Sequence, residues 1–348
     1  MLTVNIFPCS AIRAGLPFKR NPMLRRKFSF AAALLAGSLA VSLPSVALAG
    51  APGAAAAAGS SPLLKAEDLK SLLGQPDVRV LDIRAEKDYL AGHIPGAINT
   101  PYAAYRGPKD NAGSLVAESK LTEVLRQAGI DTNTRVIVAH AGSDHTDFGA
   151  AARVYWTLKA GGLTRLSVLD GGTLGWKTAG GALDTVAPKV NPSQFSYHYN
   201  KAMIADTEEV ATAVKSGKAP LLLDARPLDF FKGEQRVDAA ARYGTLPGAQ
   251  TLDNASFFNA DKKTLKPAGE LLQIVQQANL ANKPAVSFCN TGHWAATNWF
   301  VLSELAGNKE VKLYPESVVE WSKTDLPMDN QPSRVTALVQ DAKRSLKK

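Results

Sequence analysis

Mainly apolar runs alternate with helix-like stretches along residues 62–330. The clearest runs lie at 78–83, 135–139, 220–223 and 284–288, and amphipathic or polar segments separate them. Short continuous runs of this kind are typical of parallel strands that are buried on both faces and joined by crossover helices. The pattern therefore predicts an α/β fold.

The same order of features occurs twice in the chain. One run ends in Asp-x-Arg at Asp82–Arg84 and is followed by His93–Ala97, and a later run ends in Asp-x-Arg at Asp224–Arg226 and is followed by Leu246–Ala249. Both following segments contain Pro-Gly-Ala. Self-similarity over this length indicates a duplicated domain rather than a solenoid repeat. We expect each half to form a small, open, mainly parallel sheet flanked by helices on both faces.

Changes in composition divide the chain into six segments. An Ala/Gly-rich stretch without periodicity predicts a flexible tether, and a proline-containing stretch between the two halves predicts a linker. The expected segments are a signal peptide at 1–49, the tether at 50–61, a first domain at 62–182, the linker at 183–203, a second domain at 204–332 and a polar tail at 333–348.

A basic and apolar segment precedes the folded sequence. Arg25–Lys27 come before an apolar run at 28–43, and small residues follow up to Ala49. This order predicts a secretory signal that is cleaved near Ala49, and therefore a periplasmic or secreted protein without stable membrane association after cleavage. The arginine pair fits a twin-arginine or a Sec signal. An uncleaved membrane anchor is the alternative, although the run is short for one.

Removal of this signal changes the charge of the protein. The full chain of 348 residues has a net charge of +9. Six basic residues and no acidic ones precede Gly50, so the mature chain has a net charge of +3 (9 − 6). The high isoelectric point is mostly a targeting feature, and we expect no binding to nucleic acid.

Only two cysteines occur in the chain, and Cys9 lies in the expected signal. Cys289 is then alone and cannot form an internal disulfide. A lone thiol is either buried and inert, which composition alone favours, or used in chemistry. Around Cys289 the pattern is a strand, a tight polar loop with Gly292 and a helix from about Ala295. Backbone N–H groups and a helix dipole at such a position stabilise a thiolate and predict a nucleophile.

Together, these motifs resemble the rhodanese family. Asp-x-Arg after a strand, a Pro-Gly-Ala segment, and Cys-x-x-Gly between a strand and a helix are similar to its tandem-domain sulfurtransferases, over nearly all of residues 62–330. The resemblance implies two rhodanese-like domains with the reactive loop in the second. Alignment of 135–139 with 284–288 puts His140 opposite Cys289, which implies a first domain that forms no persulfide but supplies one wall of the cleft.

By this resemblance, a sulfane sulfur moves from thiosulfate or 3-mercaptopyruvate through a Cys289 persulfide to a thiol or cyanide. The implied partners are a small anionic sulfur donor and a thiol acceptor. The residues implied to bind the donor or the persulfide are Arg226, Asn290, Thr291, Gly292, His293, Trp294 and Ala295. The alternative is a non-catalytic sulfur carrier or partner-binding module with the same fold.

Several residue roles stay open in the sequence. Thiosulfate-preferring members of the family place a basic pair after the cysteine and mercaptopyruvate enzymes place small residues, whereas this chain has Asn290 and Thr291. Arg226 binds the donor or pairs with Asp224, and His293 contacts the thiolate or points outward. For Trp294 and Trp299 we expect packing, and Arg236 and Arg242 line the cleft or the surface.

Two other kinds of chemistry are disfavoured. Phosphatases with a similar loop close it with an arginine, but Ala295 and Ala296 occupy those positions. The histidines are scattered and one cysteine cannot build a zinc site, so we expect no metal and no cofactor.

Overall fold

Two parallel sheets, one in each half of the chain, organise residues 61–346, the part that the computed structural model describes. The expected signal peptide at 1–49 and all but the last residue of the expected tether lie outside this part. Both halves belong to one unit by their internal contacts.

In the first half, strands alternate with helices along the chain. The strands are β1 (Leu63–Leu64), β2 (Val78–Asp82), β3 (Ile98–Asn99), β4 (Arg135–Ala139) and β5 (Leu166–Leu169). The helices are α1 (Ala66–Lys70), α2 (Glu86–Leu90), α3 (Glu118–Gln127), α4 (His145–Ala160) and α5 (Gly172–Thr178), with short 3-10 helices at Tyr102–Tyr105 and Lys109–Asn111.

The second half repeats this order. Its strands are β6 (Leu221–Asp224), β7 (Gln250–Thr251), β8 (Ala285–Phe288) and β9 (Val311–Leu313). Its helices are α6 (Thr207–Ser216), α7 (Leu228–Phe231), α8 (Ala268–Gln277), α9 (Trp294–Trp299), α10 (Ser317–Trp321) and α11 (Arg334–Ser345). A π-helical turn at Phe300–Leu305 continues α9, and 3-10 helices lie at Lys201–Met203 and Asn254–Phe257.

Sheet topology confirms the predicted fold class. The strand order is β1-β5-β4-β2-β3 in the first sheet and β7-β6-β8-β9 in the second, and all strand pairs are parallel. A single parallel bridge from Ile204 to Leu313 occupies the place in the second sheet that β1 occupies in the first. The two sheets therefore follow one plan, as the internal repeat predicts.

The register of the strands also relates the two halves. Asp82 is paired with Ala139 in the first sheet, and Asp224 is paired with Phe288 in the second. The residues that follow, His140 and Cys289, therefore occupy equivalent places in the two sheets.

One hydrophobic core contains residues from both halves. Phe148 and Tyr155 of α4 contact Phe300 edge to face, with ring centroids 5.8 and 5.0 Å apart. All three rings are buried. Burying aromatic surface of this size across the boundary stabilises the association of the halves.

The segments after each half are ordered by specific contacts. In the linker, Tyr197 is buried and donates from its hydroxyl to the carbonyl of Thr157 on α4. In the tail, α11 buries no residue, and its Asp341 accepts from Arg236 and Tyr243. Within residues 61–346, no helix has both the length and the apolar character that a membrane span requires.

Candidate active site

Cys289 lies at the carboxyl end of β8, where the strand passes into the loop before α9. It is fully buried, with 0% of its surface exposed. In open parallel sheets, ligands bind at this edge because the strand-to-helix loops converge there. Residues 289–294 are called the cysteine loop below.

One hydroxyl group binds two backbone N–H groups of the cysteine loop. Ser317 Oγ accepts from the N–H of Cys289 at 3.1 Å and of Gly292 at 3.2 Å, and donates to the carbonyl of Tyr314 at 2.7 Å. Ser317 has a φ of 55°, which is uncommon for a residue other than glycine. The backbone N–H of Gly292, which the family resemblance implies binds the persulfide, therefore donates to Ser317 in this structure.

The first half of the chain packs closely over the cysteine loop. A Cβ atom added at Gly149 of α4 would lie 3.0 Å from His293 Nε2. A Cβ atom at Gly113 would lie 2.3 Å from the carbonyl oxygen of Pro315. The distance at Gly113 is too short for a side chain, and the distance at Gly149 is tighter than most Cβ contacts, so these glycines permit the close approach of the two halves.

His293 points inward and is bonded through both ring nitrogens to the first half. Nε2 lies 2.7 Å from the carbonyl oxygen of Thr146, and Nδ1 lies 2.8 Å from the hydroxyl of Tyr102. A carbonyl can only accept, so Nε2 carries the proton and Nδ1 accepts from Tyr102. Burial, followed by the charge of Arg106, lowers the pKa of His293 to about 4. The imidazole is therefore neutral at physiological pH, and its two contacts differ from both roles that the sequence left open.

Trp294 packs between the two halves, in line with the packing expected for it, while the binding role that the resemblance implies for it stays a prediction. Its Nε1 donates to Thr146 Oγ1 at 3.1 Å, and its ring meets Phe230 edge to face at 6.2 Å. The next residue, Ala295, is buried, and its carbonyl accepts from Ser287 Oγ at 2.9 Å. These contacts close the cysteine loop over the thiol.

Arg226 is buried, with 1% of its surface exposed, and is paired with Asp224. Its Nε and Nη2 donate to the carboxylate at 2.9 and 2.6 Å, and Nη2 also donates to the carbonyl of Gly244. Its Nη1 lies 3.4 Å from Asn290 Oδ1. The sequence left two roles open for Arg226, donor binding and pairing with Asp224. The structure shows the pair with Asp224.

The equivalent pair in the first half has the same geometry. Arg84 donates from Nε and Nη2 to Asp82 at 2.9 and 2.6 Å, and from Nη2 to the carbonyl of Gly92 at 2.8 Å. The first half has His140 where the second has Cys289. A pair that occurs in both halves belongs to the architecture of the repeat. The contact of Arg226 with Asn290 has no counterpart at Arg84.

Arg236 and Arg242 point away from the cysteine loop. Arg236 donates to Ala240 and to Asp341 of α11, and Arg242 donates to carbonyl groups between residues 321 and 326. Neither arginine lines the cleft in this arrangement.

Two other arginines, both from the first half, reach the cysteine loop. Arg106 Nη2 donates to the carbonyl and the hydroxyl of Thr291 at 3.0 and 2.9 Å. Arg153 of α4 is buried, with 1% of its surface exposed, and its Nη1 donates to the carbonyl of Gly292 at 3.3 Å. Burial lowers the pKa of Arg153 to about 10, with the charge of Arg106 as the second cause. The Arg153 guanidinium therefore remains charged at neutral pH.

Five residues of the site were not identified from the sequence. Tyr102, Arg106, Thr146 and Arg153 belong to the first half, and Ser317 follows β9. For the first half, the sequence analysis predicts only a cleft wall. The loop lacks the basic pair of the thiosulfate-preferring enzymes. This absence was the signal that basic residues elsewhere, here Arg106 and Arg153, contact the loop.

Comparison with known proteins agrees with this fold and site. The rhodanese-like domain family matches the chain twice, over residues 65–179 and 206–324. The chain is 32% identical over 274 residues to a protein of Synechococcus elongatus named "Putative thiosulfate sulfurtransferase", covering 76% of this chain and 83% of that protein. It is 26% identical over 278 residues to the 3-mercaptopyruvate sulfurtransferase of Escherichia coli, covering 76% and 96%.

A solved structure shows the same fold. The crystal structure of the 3-mercaptopyruvate sulfotransferase SseA from Escherichia coli superimposes with a TM-score of 0.63 at 24% identity, covering 74% of this chain and 99% of that one. The chain belongs to the rhodanese family in its tandem-domain form. Its enzyme class is that of the sulfurtransferases.

Proposed function

We propose that this sulfurtransferase carries sulfur as a persulfide on Cys289. The observation that supports this most directly is the position of Cys289, at the carboxyl end of a central parallel strand and in a loop that two arginines of the first half contact. In residues 61–346 it is the free cysteine of the protein. A cysteine thiolate is a nucleophile, and this edge of a parallel sheet is where ligands bind.

The sulfur donors are proposed to be thiosulfate or 3-mercaptopyruvate, which give the relatives their names. With thiosulfate, the Cys289 thiolate attacks the outer sulfur, a new S–S bond forms, and sulfite leaves with the electron pair of the broken bond. With 3-mercaptopyruvate, the C–S bond breaks instead, and pyruvate leaves after its carbon gains a proton. An acceptor thiolate or cyanide then takes the outer sulfur, and the Cys289 thiolate is regenerated.

We propose further that the protein acts in the periplasm or outside the cell. The support is the basic and apolar segment before Gly50 in the sequence. Expression of the full chain with a C-terminal tag, followed by fractionation and N-terminal sequencing, tests this. A mature cytoplasmic protein with an intact N-terminus would contradict it.

Complete burial of Cys289 favours a second candidate function, a carrier or binding module that does not turn over. In that case a specific partner protein would open the loop to exchange sulfur. Small thiols would then not complete a cycle.

The test is thiocyanate formation from each donor and cyanide, with Cys289→Ser as the control. Multiple turnovers that depend on Cys289 support the enzyme and identify the preferred donor. A single transfer without turnover would support the carrier. If neither donor places sulfur on Cys289, the persulfide proposal is contradicted.

A further inference from the structure

The cysteine loop contains no lysine or arginine, although the reaction gathers negative charge around Cys289. A thiolate and an anionic donor must come together in a buried place, and unpaired charges there are costly unless a cation compensates them. The nearest arginine of the second half, Arg226, is already neutralised by Asp224 at 2.6 Å. The compensating charge must therefore come from elsewhere.

Arg106 and Arg153 provide two positive charges that lack carboxylate partners. Within residues 61–346, neither guanidinium takes part in an ion pair with an acidic side chain. Their contacts with the cysteine loop go to neutral oxygen atoms of Thr291 and Gly292. The carbonyl that accepts from Arg153 belongs to Gly292, three residues after Cys289 in the loop.

Each guanidinium also has a buried nitrogen without a hydrogen-bond partner. These atoms are Nη1 of Arg106 and Nε of Arg153. A buried donor without an acceptor costs free energy, and its persistence at a reactive site indicates that a ligand can supply the acceptor. Nη1 and Nη2 of Arg153 donate to the carbonyls of Gly292 and Gly113, and these two bonds fix its guanidinium in place. The guanidinium of Arg106 is less constrained than that of Arg153.

We propose that the first half of the chain supplies the anion site of this enzyme: Arg106 contacts the anionic group of the sulfur donor, and Arg153 stabilises the thiolate as a positioning residue behind the loop. The site takes a sulfonate or a carboxylate carried by a small sulfur donor. This inference rests on the proposed function for its substrate. It explains why Asn290 and Thr291 can replace the basic pair of thiosulfate-preferring relatives, because the charge comes from the other domain.

Steady-state kinetics of the full chain test the role of Arg106. Arg106→Gln is expected to raise the KM for thiosulfate about tenfold or more, because a charge-assisted hydrogen bond to the anion is lost. Arg106→Lys, which keeps the charge, should recover part of this loss. The matched control is Arg126→Gln, since Arg126 also donates to a backbone carbonyl, that of Phe195, away from the cysteine loop.

A second measurement does not depend on sulfur transfer. Iodoacetate and iodoacetamide are similar in size, but only iodoacetate is an anion, so the ratio of their rates with Cys289 reports the attraction of anions to the site. We expect this ratio to fall about fivefold in Arg106→Gln and to stay unchanged in Arg126→Gln. For Arg153→Met, the rate with neutral iodoacetamide should fall, since less thiol is present as thiolate; a melting curve checks that this variant is folded.

The outcomes separate this inference from the proposed function. Normal turnover with an unchanged KM and an unchanged alkylation ratio in Arg106→Gln would overturn the anion site alone. A wild-type protein without Cys289-dependent transfer would contradict the proposed function, and the alkylation ratio would then decide the anion site by itself. If Cys289 neither transfers sulfur nor reacts with either reagent, both ideas fail.

Discussion

Ser317 has both a hydroxyl that accepts two hydrogen bonds and an uncommon backbone conformation. Its hydroxyl accepts two backbone N–H groups of the cysteine loop, and its backbone adopts a φ of 55°. Both N–H groups are buried and would lose their acceptor in a shorter side chain. Local strain of this kind persists where the surrounding structure enforces it, often at functional sites.

We predict that Ser317→Ala lowers the free energy of unfolding by about 1–3 kcal/mol, the cost of leaving buried donors unsatisfied. Urea denaturation measures this change. Ser216→Ala, at the exposed end of α6, serves as the matched control and should change stability little. Equal effects of the two substitutions would contradict the structural role of the Ser317 hydroxyl.

His293 makes stability depend on pH in a defined direction. Its pKa is lowered from 6.5 to about 4, first by burial and then by Arg106. The unfolded chain then binds more protons than the folded protein between these two values, so this contribution is fully present above pH 6.5 and is lost as the pH falls toward 4.

His293→Asn should therefore reduce the loss of unfolding free energy between pH 7.5 and pH 5 by about 2 kcal/mol. Denaturation curves at both pH values check this. The wild type, measured over the same pH range, provides the reference. If His293→Asn loses as much stability on acidification as the wild type, the imidazole is not held neutral.

Single residues differ in how far the sequence predicts them. Cys289 is identifiable because it is a lone thiol between a strand pattern and a helix pattern. Arg106 and Arg153 are not, because their contacts with the loop arise from the packing of the two halves. For Arg226, the repeated Asp-x-Arg motif was visible, but only the structure shows that Arg84 and Arg226 make the same contacts.

At the scale of elements, continuous apolar runs predict the central strands well, since burial on both faces leaves a simple pattern. β2, β4, β6 and β8 all lie in such runs. The edge strands β3 and β7 have only two residues each, and pairing rather than composition defines them. The α9 helix begins at Trp294, close to the predicted start at Ala295.

The tail illustrates how polar contacts can fix an element without a buried face. Four exposed apolar residues lie on or directly after α11, namely Val335, Leu338, Val339 and Leu346. Contacts of Asp341 with Arg236 and Tyr243 hold the helix on the second half.

Asp341→Ala is expected to speed hydrogen exchange in residues 334–345 about threefold, while the melting temperature changes little, because a partly exposed pair contributes modestly to stability. Hydrogen exchange with mass spectrometry of the tail peptide measures this. The exposed Asp325 offers the comparison variant Asp325→Ala. An unchanged exchange rate in Asp341→Ala would show that other contacts fix the helix.

At the scale of the whole molecule, the two halves share one core and one site. Rings of α4 pack against Phe300, and Tyr102, Thr146 and Arg153 contact the cysteine loop. The duplication was evident in the sequence, but the dependence of the reactive half on its partner was not, because contacts between domains leave no local pattern.

We predict that the two halves unfold together. The shared core couples them, so urea transitions followed by tryptophan fluorescence and by far-ultraviolet circular dichroism should coincide. The double variant Trp156→Phe/Trp176→Phe leaves tryptophans in the second half only, so its fluorescence reports that half alone. Two well-separated transitions would contradict a common core.

Whether sulfur resides on Cys289 can be measured directly by the intact mass of the protein. The mature protein is incubated with thiosulfate or 3-mercaptopyruvate without acceptor, and compared with Cys289→Ser. The account predicts a gain equal to the mass of one sulfur atom in the wild type alone, removed by cyanide. An unchanged mass with both donors, or the same gain in Cys289→Ser, would contradict the persulfide on which the account depends.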